Sequence, residues 1–395
     1  MIDEKLLFRS HVRYITAKAM RIFQRLCLFT RPTWGAHPEN VSIIYHGVIE
    51  PIITYAAGIW GHAASKKCNR RTLESTQRGF ALKAIRGFRT VSTVAALALA
   101  QFTPLDLKVL EVAKVERTRL LGTTDFLPDD VQLEKPTPVH KLLHPASRVT
   151  IPLHLATNQE EADSYVRSYT VTIYTDGSKK ENGKVGAAFI CFKAIQNRSN
   201  THPIVTNIHR ALHQTDNPIN VVWFRSHVGI AGNEAADVAA GEASLLHKAP
   251  DYDKFPLTYA KSHYKRESRI AWEKRYTSAE QGAYTRKLLP QLDNIQNLFS
   301  VIARSFHLTQ ILTGHGYNKS NLRRFHITDN ANCPCDGTSE QTFNHLLKSC
   351  PIFCRARLLY EQTCQLYGVD SPYELTAILQ KPETLNSFDQ LAKKI

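Results

Sequence analysis

The stretch from Thr170 to Ala240 constrains the fold more than any other part of this 395-residue chain. Val171, Ile173 and Thr175 alternate with Thr172, Tyr174 and Asp176, the two-residue period of a half-buried strand. The run ends in Asp176-Gly177-Ser178, so a carboxylate stands at its end. Lys179 to Lys184 is charged and turn-rich, with Asn182-Gly183 at its centre, and Gly186 to Phe192 returns as a second strand. Strand, Asn-Gly turn and strand predict an antiparallel hairpin. Further on, Ile219 to His227 reads as another strand and Gly232 to Ala243 as a helix. Asn233 is its cap, and Asp237 lies one turn in, near the positive end of the helix dipole.

The flanks read as helices. Val12, Ile15, Ala19, Ile22 and Leu26 form a stripe at spacings of three and four, with Lys18, Arg21 and Arg25 between them. The apolar run from Val41 to Gly61 contains Pro51, which must begin a helix or kink one. A third helix covers residues 72–88, capped by Thr72 or Ser75. Thr103-Pro104-Leu105-Asp106 is a start signal, with a capping threonine, proline at the first position and an acid behind it. Residues 126–168 hold several prolines and little periodicity, as a linker does. Residues 258–290 combine Lys and Arg with Tyr259, Tyr264, Trp272 and Tyr276. That pattern fits bases stacked on aromatics with phosphates on cations. It fits equally a helix whose aromatics enter a core.

Charge narrows the partner. A formal net charge of +15 favours a polyanion, nucleic acid first. The charged N-terminus lacks the apolar centre of a signal peptide, and no apolar run reaches membrane-span length. Neither a membrane nor a small-molecule cofactor is expected. Five of the eight cysteines fall after residue 330. Cys333, Cys335, His345 and Cys350 follow C-x-C-x9-H-x4-C, three thiolates and an imidazole suited to tetrahedral Zn²⁺ in a reducing, intracellular compartment. Cys354 stands where a substitute ligand could, but reads as packing in its helix, and Cys364 reads as a buried thiol.

Three stretches also carry a resemblance. Residues 5–120, through HVRYITAKAMRIF, TLESTQRGFALKAIRGFRTVST and LAQFTPLDLKV, resemble the region behind the polymerase palm in reverse transcriptases of arthropod, jockey-like non-LTR retrotransposons. TDGS with SHVGIAGNEAAD resembles a type 1 ribonuclease H domain. The Cys/His segment is similar to the terminal motif of the same polyproteins.

The resemblance implies an α/β fold: a ribonuclease H-like mixed sheet flanked by mainly helical regions. It divides the chain into 1–125 (thumb- and connection-like), 126–168 (linker), 169–245 (ribonuclease H-like), 250–325 (basic helical) and 326–395 (zinc knuckle and tail). It further implies Mg²⁺ or Mn²⁺ at Asp176 and Asp237, with His227 assisting, and an RNA–DNA hybrid as substrate. The sequence departs from the pattern here. The helix glutamate and the Ser-Asp-Ser aspartate are missing, as though residues had been excised near Phe192-Lys193. Two carboxylates hold two metal ions poorly. The expectation is therefore a nucleic-acid-binding remnant with impaired catalysis.

Overall fold

The computed structural model describes residues 3–31, 33–122 and 254–395 without a break. Between them it describes 124, 126–129, 131–148, 153–156, 159–167, 178–179, 185–186, 197, 199–215, 219–224 and 231–243. The chain divides into two compact units, Met1–Phe126 with Thr258–Ile395, and Leu127–Leu257.

The first unit is helical, and its one core takes residues from both ends of the chain. Helix Arg9–Leu26 buries Val12, Ile15, Ala19 and Leu26, the stripe legible in the sequence. Pro51 sits inside one helical run, Pro38–Thr54, and the turn before it, Tyr45–Ile49, is π-helical. Proline has no N–H to return to the preceding turn, and widening that turn accommodates the loss. Helix Lys67–Ala84 begins five residues before Thr72. Thr72 is inside it, its hydroxyl donating back to Cys68 O at 3.1 Å.

Helix Leu105–Leu121 receives its cap from a distance. The Gln77 amide is fully buried; its oxygen accepts from Leu105 N at 3.0 Å, and its nitrogen donates to Thr103 O at 2.8 Å and Tyr45 Oη at 2.7 Å. Asp106 is thereby free of capping and forms a two-pronged ion pair with Arg275, 2.8 and 2.6 Å, on helix Leu257–Ser278. That helix buries Tyr264, Trp272 and Tyr276, so those aromatics belong to the core and not to a stacking surface.

The second unit corrects the expected architecture. A ribonuclease H-like mixed sheet is not seen. Among the described residues, apart from isolated bridges, strands pair in two separate two-stranded pieces among helices. Ser178–Lys179 pairs antiparallel with Val185–Gly186, and Leu153–Ala156 pairs parallel with Val221–Phe224. The physical reason is non-local. A β-branched run supplies strand propensity, but a wide sheet needs neighbouring strands to complete its hydrogen bonds. The sequence between Phe192 and Val221 offers helix Pro203–Gln214 instead. Among the described residues, no single helix is long and apolar enough to cross a membrane.

Candidate metal centre

Cys333, Cys335, His345 and Cys350 come together as the sequence pattern requires, each offering one ligand atom, all within 4.8 Å of one another. Cys333 Sγ and Cys350 Sγ are 3.8 Å apart, and Cys335 Sγ is 3.3 Å from His345 Nε2. A tetrahedral ion with Zn–S bonds of about 2.3 Å has S···S edges of about 3.8 Å and, with an imidazole, S···N edges of about 3.5 Å. Those two separations lie close to the edges of a zinc tetrahedron. The cluster could hold a metal such as zinc.

Local structure sets each ligand. Cys333 N donates to Ser339 O at 2.7 Å and Gly337 N to Cys333 O at 3.0 Å, closing a tight loop around Cys335. Gly337 has φ +73°, in the left-handed region that favours glycine. Asp336 fixes the same turn. The Ser339 hydroxyl and the Ser339 and Thr338 N–H groups donate to it and hold its carboxyl well below the usual carboxylate range. His345 is on helix Phe343–Lys348, capped by Thr342. Its Nδ1 lies 3.2 Å from Ser349 Oγ, which orients the ring and leaves Nε2 facing the thiols. Cys350 N donates to His345 O at 2.8 Å. Cys333 and Cys350 are fully buried.

Burial raises the Cys333 thiol, but the Cys335 backbone and thiol, His345 and Cys350 outweigh it and bring it down to about 7. Burial, then Cys333 and Cys350, push Cys335 up to about 12. One thiolate forms near neutrality, and its charge opposes the second. A divalent cation among the four would remove that opposition. Cys354 is exposed and outside the cluster, and Cys364 is buried in the core.

The centre is joined to a short basic helix that the sequence did not single out. Helix Lys319–Arg324, capped by Asn318, is tied to the Ala331–Gln341 arm of the metal loop. Lys319 N donates to Gln341 Oε1 at 3.0 Å, Ser320 N to Gln341 O at 3.3 Å, and Ser320 Oγ to Glu340 Oε1 at 2.6 Å. Arg323 and Arg324 at its end are exposed, as are Lys348 and Arg355. The one available signal was Asn318 before Lys-Ser-Asn, an N-cap.

The other site residues fare differently. Asp176 and His227 lie outside the described residues. Asp237 is half-buried on helix Ala231–Ala243. That helix starts at Ala231, so Asp237 falls well past the first turn, where the dipole's effect fades. Among the described residues the one group able to hold a metal is the Cys/His cluster. Among those residues no carboxylate set for Mg²⁺ or Mn²⁺ accompanies it.

No protein-family profile matches the chain, and no solved structure does. Curated relatives do. A 115 kDa protein of the type-1 retrotransposable element R1DM of Drosophila melanogaster is 31% identical over 129 residues, 32% of this chain and 13% of the relative. Two retrovirus-related Pol polyproteins of Nasonia vitripennis, from elements R1 4 and R1 2, are 35% and 28% identical over 139 and 118 residues, 34% and 30% of this chain. These matches cover 34% and 29% of those relatives, so the chain spans about a third or less of the polyproteins it matches. The chain is thus similar, at modest identity and over about a third of its length, to proteins of arthropod R1 retrotransposable elements, Pol polyproteins among them.

Proposed function

We propose that the chain is a nucleic-acid-binding segment of an R1-type polyprotein, in which a zinc-held loop presents a basic helix to the phosphate backbone. The observation that carries this reading is the joining of the two features. The four-ligand cluster sits in the same loop whose Glu340 and Gln341 grip helix Lys319–Arg324. A site closed by four protein ligands leaves no open position for a substrate, so its role is structural. Arg323 and Arg324 close the helix at its negative end, exposed for phosphate contacts that are strong and sequence-independent. The net charge of +15 supports the same partner.

We further infer that the chain does not hydrolyse RNA–DNA hybrids. The sequence keeps Asp176 and Asp237 but lacks the other two carboxylates a two-metal centre uses to hold its ions.

The test is zinc content by elemental analysis, together with binding to a labelled oligonucleotide across a salt series, with and without chelator. One zinc per chain and weaker binding on chelation, with a shallower log–log salt slope, are expected. Arg323→Ala with Arg324→Ala should reduce that slope by about two, one per phosphate contact. A zinc-free chain, or binding indifferent to both treatments, overturns the reading. Hybrid cleavage with Mn²⁺ that disappears in Asp176→Asn overturns the second inference.

A further inference from the structure

Just after helix Arg9–Leu26 the chain doubles back through a bridge between Thr30 and Gly35, and the aromatic side chains beside that bridge, Phe29 and Trp34, are exposed. Thr30 and Gly35 form an antiparallel bridge, with Arg31 N donating to Trp34 O and Ala36 N to Phe29 O, both at 2.9 Å. The hairpin is pinned from beneath. The Thr30 hydroxyl donates to Leu26 O at 2.7 Å, Lys83 Nζ donates to Thr30 O at 2.7 Å, and Arg86 reaches Gly35 O at 3.5 Å. Gly35 has φ +96°, and a Cβ there would come within 2.2 Å of Phe29 O.

A turn held this firmly still leaves Trp34 57%, Phe29 49% and Leu28 74% exposed. Leaving such rings in water forgoes the stabilisation that burial would give them.

The surroundings say what would cover them. From Lys5 to Pro38 the chain carries seven lysines and arginines and no carboxylate. On helix Arg9–Leu26, Tyr14, Lys18, Arg21 and Arg25 follow spacings of four, three and four, one solvent-facing stripe that leads to the hairpin. Among the described residues, the side chains of Lys18, Arg21 and Arg25 enter no ion pair or hydrogen bond. A cationic track ending in two unburied rings complements one kind of partner: a polyanion with flat, unpaired apolar faces.

We infer that the Leu28–Trp34 hairpin stacks on an unpaired base of a single-stranded nucleic acid, whose phosphates run along the Lys18–Arg21–Arg25 stripe. A duplex hides its base faces and would meet only the cations. This rests on the nucleic-acid reading above but uses a different surface from the metal loop.

The test uses the full chain, with a labelled oligo(dT) and a duplex of the same length at fixed salt. In a Trp223→Phe chain the other two tryptophans, Trp60 and Trp272, are buried, so quenching by the single strand reports stacking on Trp34. Trp34→Ala is expected to weaken single-strand binding about tenfold and duplex binding less than twofold. Trp34→Phe should restore single-strand affinity without the quench. Equal losses for strand and duplex, or none, overturn the proposal. If Trp34→Ala is silent while Arg323→Ala with Arg324→Ala still weakens binding, this inference falls and the nucleic-acid reading stands. Failure of the wild-type chain to bind any strand removes both. Self-association abolished by Trp34→Ala, with strand binding unchanged, assigns the hairpin to a second copy and overturns it too.

Discussion

The Asp106–Arg275 pair makes an asymmetric prediction. Its two bonds join helices Leu105–Leu121 and Leu257–Ser278, so they tie the front of the chain to its rear. The Asp106 side chain is 3% exposed, whereas that of Arg275 is 27% exposed and has Glu74 at 3.6 Å as a second partner. Arg275→Met therefore strands a carboxylate that has no route to water. Breaking a buried pair from that side costs about 3–4 kcal/mol. Asp106→Asn leaves a cation that turns toward solvent and Glu74, and should cost about 1–2 kcal/mol. Removing both, Asp106→Leu with Arg275→Met, leaves no orphan and should cost roughly 1–2 kcal/mol, well short of the sum. Urea unfolding followed by the fluorescence of the buried Trp60 and Trp272 reads this core. Arg275→Met no worse than Asp106→Asn, or a double variant equal to the sum of the singles, would refute burial as the source of the cost.

Chelation of the metal should lower the melting temperature. A structural zinc present at a thousand times its dissociation constant contributes about 4 kcal/mol, and Cys350→Ser should mimic its loss while Cys354→Ser leaves zinc content unchanged. Glu74 is held above its ordinary value of 4.5 by burial and then by Asp106, against the pull of Arg70 and Arg275. A carboxyl raised in the folded state destabilises above its folded pKa and is neutral below its unfolded one. Glu74→Gln should thus stabilise at neutral pH, with the gain vanishing as pH falls to 4.5, as thermal melts across pH would record. Gly35→Ala should cost about 1–3 kcal/mol through backbone strain and contact with Phe29 O, and should abolish the Trp34 quench even though the ring remains.

What the sequence made legible was local. The period of Val12, Ile15, Ala19 and Leu26 declares a helix because each turn repeats the same burial. The ligands Cys333, Cys335, His345 and Cys350 are legible because their residue types and spacings are themselves the chemistry. Illegible features depend on partners far along the chain. Thr103 carries a cap signal, yet the Leu105–Leu121 helix is capped by Gln77, nearly thirty residues earlier in the chain. Tyr264, Trp272 and Tyr276 suit stacking or a core equally well, and burial alone decides between them. The mixed sheet failed as an expectation for the same reason, since strand propensity at residues 171–192 says nothing of whether neighbours exist to pair with it.

Those two kinds of information separate the functions this chain can keep. A two-metal hydrolase needs carboxylates from several elements set to within fractions of an ångström by a complete sheet, so loss of the middle removes the centre as a whole. Phosphate binding needs only positive charge on a firm support. The Cys/His loop supplies such a support within some thirty residues, from Asn318 to Cys350, through contacts that are short in sequence. The Leu28–Trp34 hairpin supplies another, anchored by Lys83 and Arg86 from the neighbouring helix and its end. On the binding function proposed above, this chain would still hold a strand without a two-metal centre, because the charges and rings proposed to grip it stand on a helix and a turn whose supports are local.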